Sequence, residues 1–274
     1  MAERPRTKSG HVVRTERITP HMTRVVLGGE GLAEFAVGPF TDSYVKLLFP
    51  LEDVVYPEPF DIGEIRASMP REQWPRTRTY TVRRWDAEAR ELWIDFVVHG
   101  DKGVAGPWAA KAQPGDVLRF AGPGGGYAPD PTADWHLMAG DESALPAIAA
   151  ALEALPDGAP AKVFIEVEGP EEEQAVVSPG AVDLVWLHRA GRPLGQAVVA
   201  AVRELAFPEG DVQVFVHGEA HMVKQLRGHL RLERGVARER MSISGYWRLG
   251  ADEDGWQSSK AEWNRQVEQE QERS

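Results

Sequence analysis

The sequence predicts two domains, an antiparallel β domain followed by a parallel-sheet α/β domain. The chain has 274 residues, more than one average domain of about 150 residues. Its first half consists of short runs rich in Val, Thr and aromatic residues, separated by Gly and Pro turns. A Gly- and Pro-rich stretch at 123–131 marks a domain boundary. Beyond it, strand and helix patterns alternate, which is typical of a parallel sheet covered on both faces.

Six predicted strands in the first half indicate a small antiparallel barrel or sandwich. They span 10–18, 22–27, 43–49, 78–84, 91–98 and 116–121. The segment 50–75 holds five prolines and little periodicity, so we expect a lid or site wall, or else a poorly ordered connection. A short helix is expected around 103–111.

The second half predicts five strands, at 135–139, 161–167, 182–188, 211–216 and 241–246. Three helices are expected between them, at 143–155 with Ser143 as N-cap, 193–205 and 220–231. A last helix is predicted from Ser259, with Glu262 completing a capping box. Its Trp263 and Val267 share a face with Trp256, and we expect this face to dock on a neighbouring domain.

Composition excludes several classes of function. Lys and Arg number 31 against 42 Asp and Glu, a net charge of −11 that makes nucleic acid an unfavourable partner. The absence of cysteine excludes disulfides, thiolate-held zinc, cysteine-ligated iron–sulfur clusters and thiol nucleophiles. No ligand spacing indicates a metal site, and no apolar run is long enough to span a bilayer. We expect a cytoplasmic monomer without membrane insertion.

Two motifs in the first half have the chemistry of a nucleotide cofactor site. On a predicted strand lie Arg78, Thr79, Tyr80 and Thr81. Alternation puts Arg78 and Tyr80 on one face, where an Arg can bind phosphate and a Tyr ring can contact an aromatic cofactor. Residues 99–109 then form a Gly-rich turn leading into a helix, an arrangement that suits an anion. The alternatives are an ordinary exposed strand and a turn that uses Gly for positive φ.

Three further motifs follow strands of the α/β domain and therefore lie at one edge of its sheet. The first contains Gly140, Asp141, Glu142 and Ser143. The others are His-Gly-Glu-Ala at 217–220 and Gly-Tyr-Trp-Arg-Leu-Gly at 245–250.

In this order the five motifs resemble the siderophore-interacting proteins, FAD-containing ferric-siderophore reductases of the ferredoxin–NADP reductase-like superfamily. The resemblance covers about residues 9–250. It implies a Greek-key, FAD-binding β-barrel at 1–126, an NAD(P)H-binding α/β domain at 127–250 and a C-terminal helix at 251–274 that packs on the body.

The resemblance also implies which residues bind FAD. Arg78 would hold the phosphate, while Tyr80 and Thr81 would flank the isoalloxazine. The family commonly has Ser where Gly106 stands and Thr where Ser143 stands. The implied FAD-binding residues are Arg78, Thr79, Tyr80, Thr81, Asp95, Val97, Val98, His99, Gly103, Val104, Ala105, Gly106 and Trp108.

The other implied sites belong to the nucleotide and the substrate. Tyr246 and Trp247 would lie near the flavin or the substrate mouth. Lys46 and Arg248 match basic positions of relatives and are candidates for binding an anionic ferric siderophore, although Lys46 is also consistent with a solvated strand charge. The implied NAD(P)H-binding residues are Gly140, Asp141, Glu142, Ser143, Gly218 and Glu219.

The implied reaction passes hydride from NAD(P)H to flavin N5 and single electrons to the siderophore's Fe(III), so no catalytic protein residue is required. Acids after the second α/β strand favour NADH, and basic residues after the next strand favour NADPH. Both donors stay open, with NADH ahead. The acids are Glu166, Glu168, Glu171, Glu172 and Glu173, and the basic residues are His188, Arg189 and Arg192.

Two other functions stay open. The acceptor of a flavin reductase can be a protein such as a ferredoxin or flavodoxin. These acidic carriers bind best to a large basic face, which a net charge of −11 disfavours. A non-redox protein that binds ferric siderophore is the other alternative, and it predicts no flavin.

Overall fold

A computed structural model describes residues 7–101, 103–251 and 253–272. Four short stretches lie outside the described residues: 1–6, 102, 252 and 273–274. Residue 102 belongs to the predicted 99–109 turn, and the others belong to the ends of the predicted domains or to the predicted C-terminal helix region. The chain divides into two compact units, Met1–Gly126 and Tyr127–Ser274.

Within its described residues, the first unit contains seven strands and two α-helices. They are β1 Lys8–Thr19, β2 Met22–Gly28, β3 Tyr44–Phe49, α1 Ile62–Ser68, β4 Arg76–Thr81, β5 Arg84–Asp86, β6 Glu91–Val97, α2 Ala105–Lys111 and β7 Val117–Gly124.

In the described part of the second unit there are five strands and four α-helices. They are β8 Trp135–Asp141, α3 Leu145–Glu153, β9 Pro160–Val167, β10 Ala181–His188, α4 Gln196–Glu204, β11 Val212–Glu219, α5 Ala220–Gly228, β12 Met241–Trp247 and α6 Glu253–Glu272.

The first unit is a single antiparallel sheet in the order β4-β3-β7-β1-β2-β6-β5. Its strands form where apolar and polar residues alternate: Val45 and Leu47 are buried on either side of the exposed Lys46. The Tyr80 ring on β4 lies 4.5 Å from that of Phe96 on β6, so the sheet curls round its core. The predicted antiparallel β domain is confirmed.

Two details of the first unit differ from the sequence prediction. The predicted strand 78–84 is two strands, because β4 pairs with β3 and β5 pairs with β6. The proline-rich segment 50–75 contains the helix α1, which buries Ile62 and Ile65. Asp61 caps it by accepting hydrogen bonds from the N–H groups of Gly63 and Glu64.

The second unit is a parallel sheet in the order β10-β9-β8-β11-β12. Helix α3 packs on one face, while α4 and α5 pack on the other. All seven residues of β8 are buried, as expected of a central strand. The strand order reverses between β8 and β11, which opens a crevice at their carboxyl ends. The predicted α/β architecture is confirmed.

Two predicted helix starts in this unit are wrong. Helix α3 begins at Leu145, and Ser143 does not cap it, because the Ser143 hydroxyl donates to Asp141 at 2.5 Å instead. Helix α6 begins at Glu253, before the predicted capping box. Ser259 therefore lies inside the helix, where its hydroxyl donates to the carbonyl of Gly255 at 2.8 Å.

Helix α6 is held within the second unit by its apolar face. Trp256 is 1% exposed and Val267 is 3% exposed. A Cβ at Gly245 on β12 would stand 3.1 Å from the Trp256 ring, so the indole packs directly against the strand backbone. Arg227 on α5 adds an ion pair to Glu268 at 3.3 Å. None of the helices in the described ranges has the length and hydropathy needed to cross a membrane.

Replacing Trp256 with Ala should destabilise the second unit by about 3–5 kcal/mol, because a buried indole leaves a large cavity. Gln257→Ala, at an exposed position of the same helix, should change the free energy of unfolding by less than about 0.5 kcal/mol. Urea unfolding of both variants checks this, and equal stabilities would contradict the packing described for α6.

Candidate functional site

The β4 motif places Arg78 and Tyr80 on the same face of the sheet. They stand opposite Leu47 and Val45 of β3, which are both in the core. Arg78 is 8% exposed, and its guanidinium donates to the carbonyl of Thr77 at 2.8 Å. On the other face of β4, Thr79 is exposed and Thr81 is buried.

Tyr80 is one of several half-buried apolar side chains on this core, of the kind that a flavin ring contacts. Tyr80, Val98, Val104 and Trp108 are half-buried and pack against the edge of the core. The Trp108 ring lies 5.8 Å from Phe96, which fixes its position. We call these four side chains the aromatic platform.

Gly103, which precedes α2, leaves its backbone open to a ligand, because a Cβ there would meet nothing within 4 Å. Gly103 has a φ of +81°, and α2 begins two residues later with the buried Ala105. A Cβ at Gly106 would stand 3.0 Å from the Val97 carbonyl oxygen. The start of α2 therefore packs closely against the end of β6. The platform and this turn together suit an FAD, which needs an apolar surface beside accessible backbone.

Asp95 and His99, the other predicted FAD-binding side chains, differ in their surroundings. Both Asp95 oxygens accept from Arg24 of β2, at 2.7 and 2.8 Å, and Asp95 is 5% exposed. This pair ties β6 to β2, so the carboxylate supports the strand. His99 is exposed, with its ring 5.7 Å from that of His21, and Val97 is half-buried at the end of β6.

Lys46 lies on the other side of the β3–β4 pair from the platform. It is exposed and stands opposite Thr79. Since successive residues point to opposite faces, Lys46 shares a face with Thr79, while Arg78 and Tyr80 share the core face.

At the end of β8, the Asp141 carboxylate is fully buried and accepts four hydrogen bonds. Oδ1 accepts from the backbone N–H and the hydroxyl of Ser143, at 2.9 and 2.5 Å. Oδ2 accepts from the Glu219 N–H at 2.8 Å and from the Trp247 indole at 3.0 Å. Burial raises the pKa of Asp141 to about 6, despite these donors.

Glu219, at the end of β11, is bound in the same way. It caps α5 by accepting from the N–H groups of His221 and Met222, at 2.7 and 3.1 Å. Its other oxygen faces the His221 ring at 3.0 Å and accepts from the Leu249 N–H at 3.1 Å. Glu219 is 3% exposed.

Two glycines allow this packing. Gly218 has a φ of +133°, and a Cβ there would stand 2.7 Å from Asp141 Oδ2. A Cβ at Gly140 would stand 2.6 Å from the His217 carbonyl oxygen. Glycine at these two positions therefore lets the ends of β8 and β11 pack closely, at the edge where a nucleotide approaches a parallel sheet.

The acids and basic residues that the sequence offers for choosing NADH or NADPH mostly bind each other. Arg189 is buried and donates to Glu142 at 2.6 Å and to Glu168 at 3.1 Å. His188 lies 2.8 Å from Glu173. The buried Glu166 accepts from the Gly195 N–H at 2.9 Å. Arg192 donates to the carbonyls of Arg189 and His188, at 3.2 and 2.6 Å. These contacts favour neither nucleotide.

His217, near the end of β11, is a neutral histidine that contacts aromatic rings of β11 and β12. The His217 ring lies 4.8 Å from Tyr246 and stacks on Phe215 at 4.0 Å. Burial lowers the pKa of His217 to about 3, so it stays uncharged at neutral pH. Arg248 follows Trp247, with its guanidinium 4.4 Å from the Trp263 ring centre.

Sequence reasoning missed two residues of this region. Arg24 binds Asp95 across β2 and β6, a contact that no local pattern in the sequence indicates. Trp263 contacts Arg248, although its position was assigned only to docking of the last helix. In the described ranges, no three His, Cys, Asp or Glu residues are grouped to hold a metal ion.

Comparison with known proteins gives a consistent result for both units. A family model described as siderophore-interacting FAD-binding domain matches residues 11–127. A second, described as siderophore-interacting protein, matches residues 133–250.

Individual relatives cover most of the chain. The ferric vibriobactin reductase of Vibrio cholerae is 37% identical over 90% of this chain and 92% of its own. The NADPH-dependent ferric-chelate reductase of Escherichia coli is 33% identical over 86% of this chain and 91% of its own. The crystal structure of a siderophore utilization protein from T. fusca is 41% identical, with a TM-score of 0.78, over 90% of this chain and 94% of that one.

The raised pKa of Asp141 predicts a pH effect on stability. An unfolded Asp loses its proton near its ordinary pKa of 3.8, whereas folded Asp141 keeps it to about pH 6. Stability should therefore fall as pH rises across this window, by on the order of 3 kcal/mol, and stay level above it. Asp141→Asn lacks this titration, so the difference in unfolding free energy between the two proteins should change between pH 4 and 6. A difference independent of pH would contradict the raised pKa.

Proposed function

The chain belongs to the siderophore-interacting protein family, and on that premise we propose that it is an FAD-containing, NAD(P)H-dependent ferric-siderophore reductase. The observation that carries the proposal is the aromatic platform beside Arg78 and the Gly103–Gly106 turn, in the unit that the FAD-binding family model matches. The names of the relatives, a ferric vibriobactin reductase and a ferric-chelate reductase, support the same activity.

When bound, FAD supplies the chemistry, since it accepts hydride from NAD(P)H at N5 and passes electrons singly to Fe(III). The platform would cover the ring and exclude water from it. The Arg78 guanidinium would donate two parallel hydrogen bonds to the phosphate, and backbone N–H groups of residues 103–106 would donate to the diphosphate. The protein therefore contributes position and charge, and no side chain has to transfer a proton.

The nucleotide would bind at the crevice between β8 and β11. The strand order reverses there, and the carboxyl ends of parallel strands at such a point are where nucleotides bind. We propose NADPH and NADH as alternative donors, with no preference for NADH, because three of the five acids that favour it bind other groups of the protein. Glu168 binds Arg189, Glu173 binds His188 and Glu166 accepts from the Gly195 N–H. The name of the Escherichia coli relative favours NADPH. Such a reaction belongs in the cytoplasm, where these donors are kept reduced.

The substrate would be Fe(III) held by a siderophore's oxygen ligands. These hard donors bind Fe(III) more tightly than Fe(II), so reduction promotes release. Ferric catecholates are anionic, and Lys46 in the first unit and Arg248 in the second are each candidates for supplying a positive charge, on a chain of net charge −11.

An anaerobic absorption titration tests the proposal. The purified protein, supplied with FAD, should have a flavin spectrum that bleaches with NADPH or NADH and returns when a ferric siderophore is added. A protein that takes up no FAD would contradict the proposal and favour a non-redox siderophore-binding protein. A flavin that bleaches but reoxidises only with ferredoxin or flavodoxin would favour a protein acceptor.

Arg78→Ala should weaken FAD binding about tenfold or more, because a charge-assisted phosphate contact is lost. The matched control is Arg76→Ala, on the same strand but exposed. Equilibrium dialysis of FAD against both variants measures the effect, and equal FAD retention would remove Arg78 from the phosphate site.

Lys46→Ala should raise the KM for an anionic ferric siderophore about threefold, the size of an exposed charge contact, with little change in the KM for NADPH. Lys111→Ala, exposed on α2, serves as the control. Steady-state kinetics with each substrate varied in turn measures both constants. A rise in both KM values together would exclude Lys46 from the siderophore site.

A further inference from the structure

The acids at the ends of β8 and β11 have their acceptor positions filled from within the protein. An ionised carboxylate offers about four lone-pair positions. Asp141 receives four donors, from Ser143, Glu219 and Trp247. Glu219 also has four partners, from His221, Met222 and Leu249. Few acceptor positions of these carboxylates are therefore left for the nucleotide to which the family resemblance assigns them.

Their outermost donors converge on one turn. The Trp247 indole donates to Asp141, and the Leu249 N–H donates to Glu219. Arg248 lies between these two residues. One acid thus fixes the side chain before Arg248, and the other fixes the backbone after it.

The Arg248 guanidinium is held by an aromatic ring. It lies 4.4 Å from the centre of Trp263, and the side chain is half-buried. No hydrogen bond or ion pair joins this side chain to another residue in the described part of the chain. Stacking leaves the N–H groups in the guanidinium plane available to an anion.

Other arginines of this unit are used differently. Arg189 forms an ion pair with Glu142, and Arg227 forms one with Glu268. Trp263 also has Lys224 beside it, with Nζ 5.4 Å from the ring centre, which adds positive charge near Arg248. The ring itself is held by α6, through the buried Trp256 at a ring distance of 6.1 Å.

We propose that Asp141 and Glu219 are positioning residues, which hold the 247–249 turn so that Arg248 presents its N–H groups to an anionic ferric siderophore. The proposal rests on the proposed function, since that function supplies the siderophore. It assigns the two acids to substrate recognition through Arg248, and it assigns nucleotide binding to the neighbouring backbone.

Two chemically defined iron complexes distinguish this role from a general structural one. Fe(III) tris-catecholate carries three negative charges, whereas Fe(III) tris-acetohydroxamate is neutral. Their dissociation constants are measured on the oxidised, FAD-loaded protein, without nucleotide, by quenching of tryptophan emission. Asp141→Asn replaces one carboxylate oxygen, an acceptor, with an amide NH2, a donor. Trp247→Phe removes only the indole N–H that donates to Asp141. Trp74→Phe is the matched control, because its indole donates to the Met69 carbonyl in the other unit.

Asp141→Asn and Trp247→Phe should each raise the dissociation constant of the tris-catecholate about fivefold, as expected for loss of one oriented charge contact. The neutral complex should bind unchanged, and the double variant should be no worse than either single one, because both remove the same bond. Trp74→Phe should match the wild type.

The proposal is overturned if either variant leaves tris-catecholate binding unchanged, if both complexes weaken equally, or if the two effects add. Reduced NADPH affinity with unchanged tris-catecholate binding would return Asp141 to the nucleotide site. Failure of the wild type to bind or reduce either complex would instead contradict the proposed function itself, so the two failures are distinguishable.

Discussion

Two carboxylates, Asp141 and Glu219, are buried where the strand order of the parallel sheet reverses, and they constrain the backbone segments that donate hydrogen bonds to them. A buried charge is costly unless hydrogen bonds replace its water. Asp141 and Glu219 obtain those bonds mainly from the turns after β8, β11 and β12. Each turn must therefore hold one conformation. The requirement extends to Gly218, since any side chain there would collide with Asp141.

In the first unit, too, a buried acid binds another part of the protein. Asp95 lies in a motif associated with FAD, but its carboxylate binds Arg24 across two strands. The surface left for a cofactor consists of half-buried rings and accessible backbone. In both units, buried acids bind other groups of the protein: Asp95 in the first unit, and Asp141 and Glu219 in the second. The proposed ligand contacts are therefore left to aromatic groups, backbone and a few basic side chains, which is compatible with the acidic composition of the chain.

Local pattern predicted the architecture, because alternation and strand–helix order depend on residues near in sequence. The sites at the strand ends followed from that order. Partners distant in sequence were not predictable: Glu142 and Arg189 are 47 residues apart, so their pairing needs the folded sheet. The sequence alone did not predict which side of the sheet Lys46 faces, because this depends on the register of β3 against β4. Helix α1 was missed although Asp61 and Glu64 have capping-box spacing, because the prolines around it obscured the pattern.

The most direct test of the buried carboxylate frame is the indole N–H resonance of Trp247, assigned by its absence in Trp247→Phe. A bond to an ionised carboxylate should shift this proton downfield and protect it from exchange with solvent. In Asp141→Asn, the account predicts an upfield move and faster exchange for this indole, with that of Trp74 unchanged. A Trp247 resonance that is unaffected by Asp141→Asn would contradict the account.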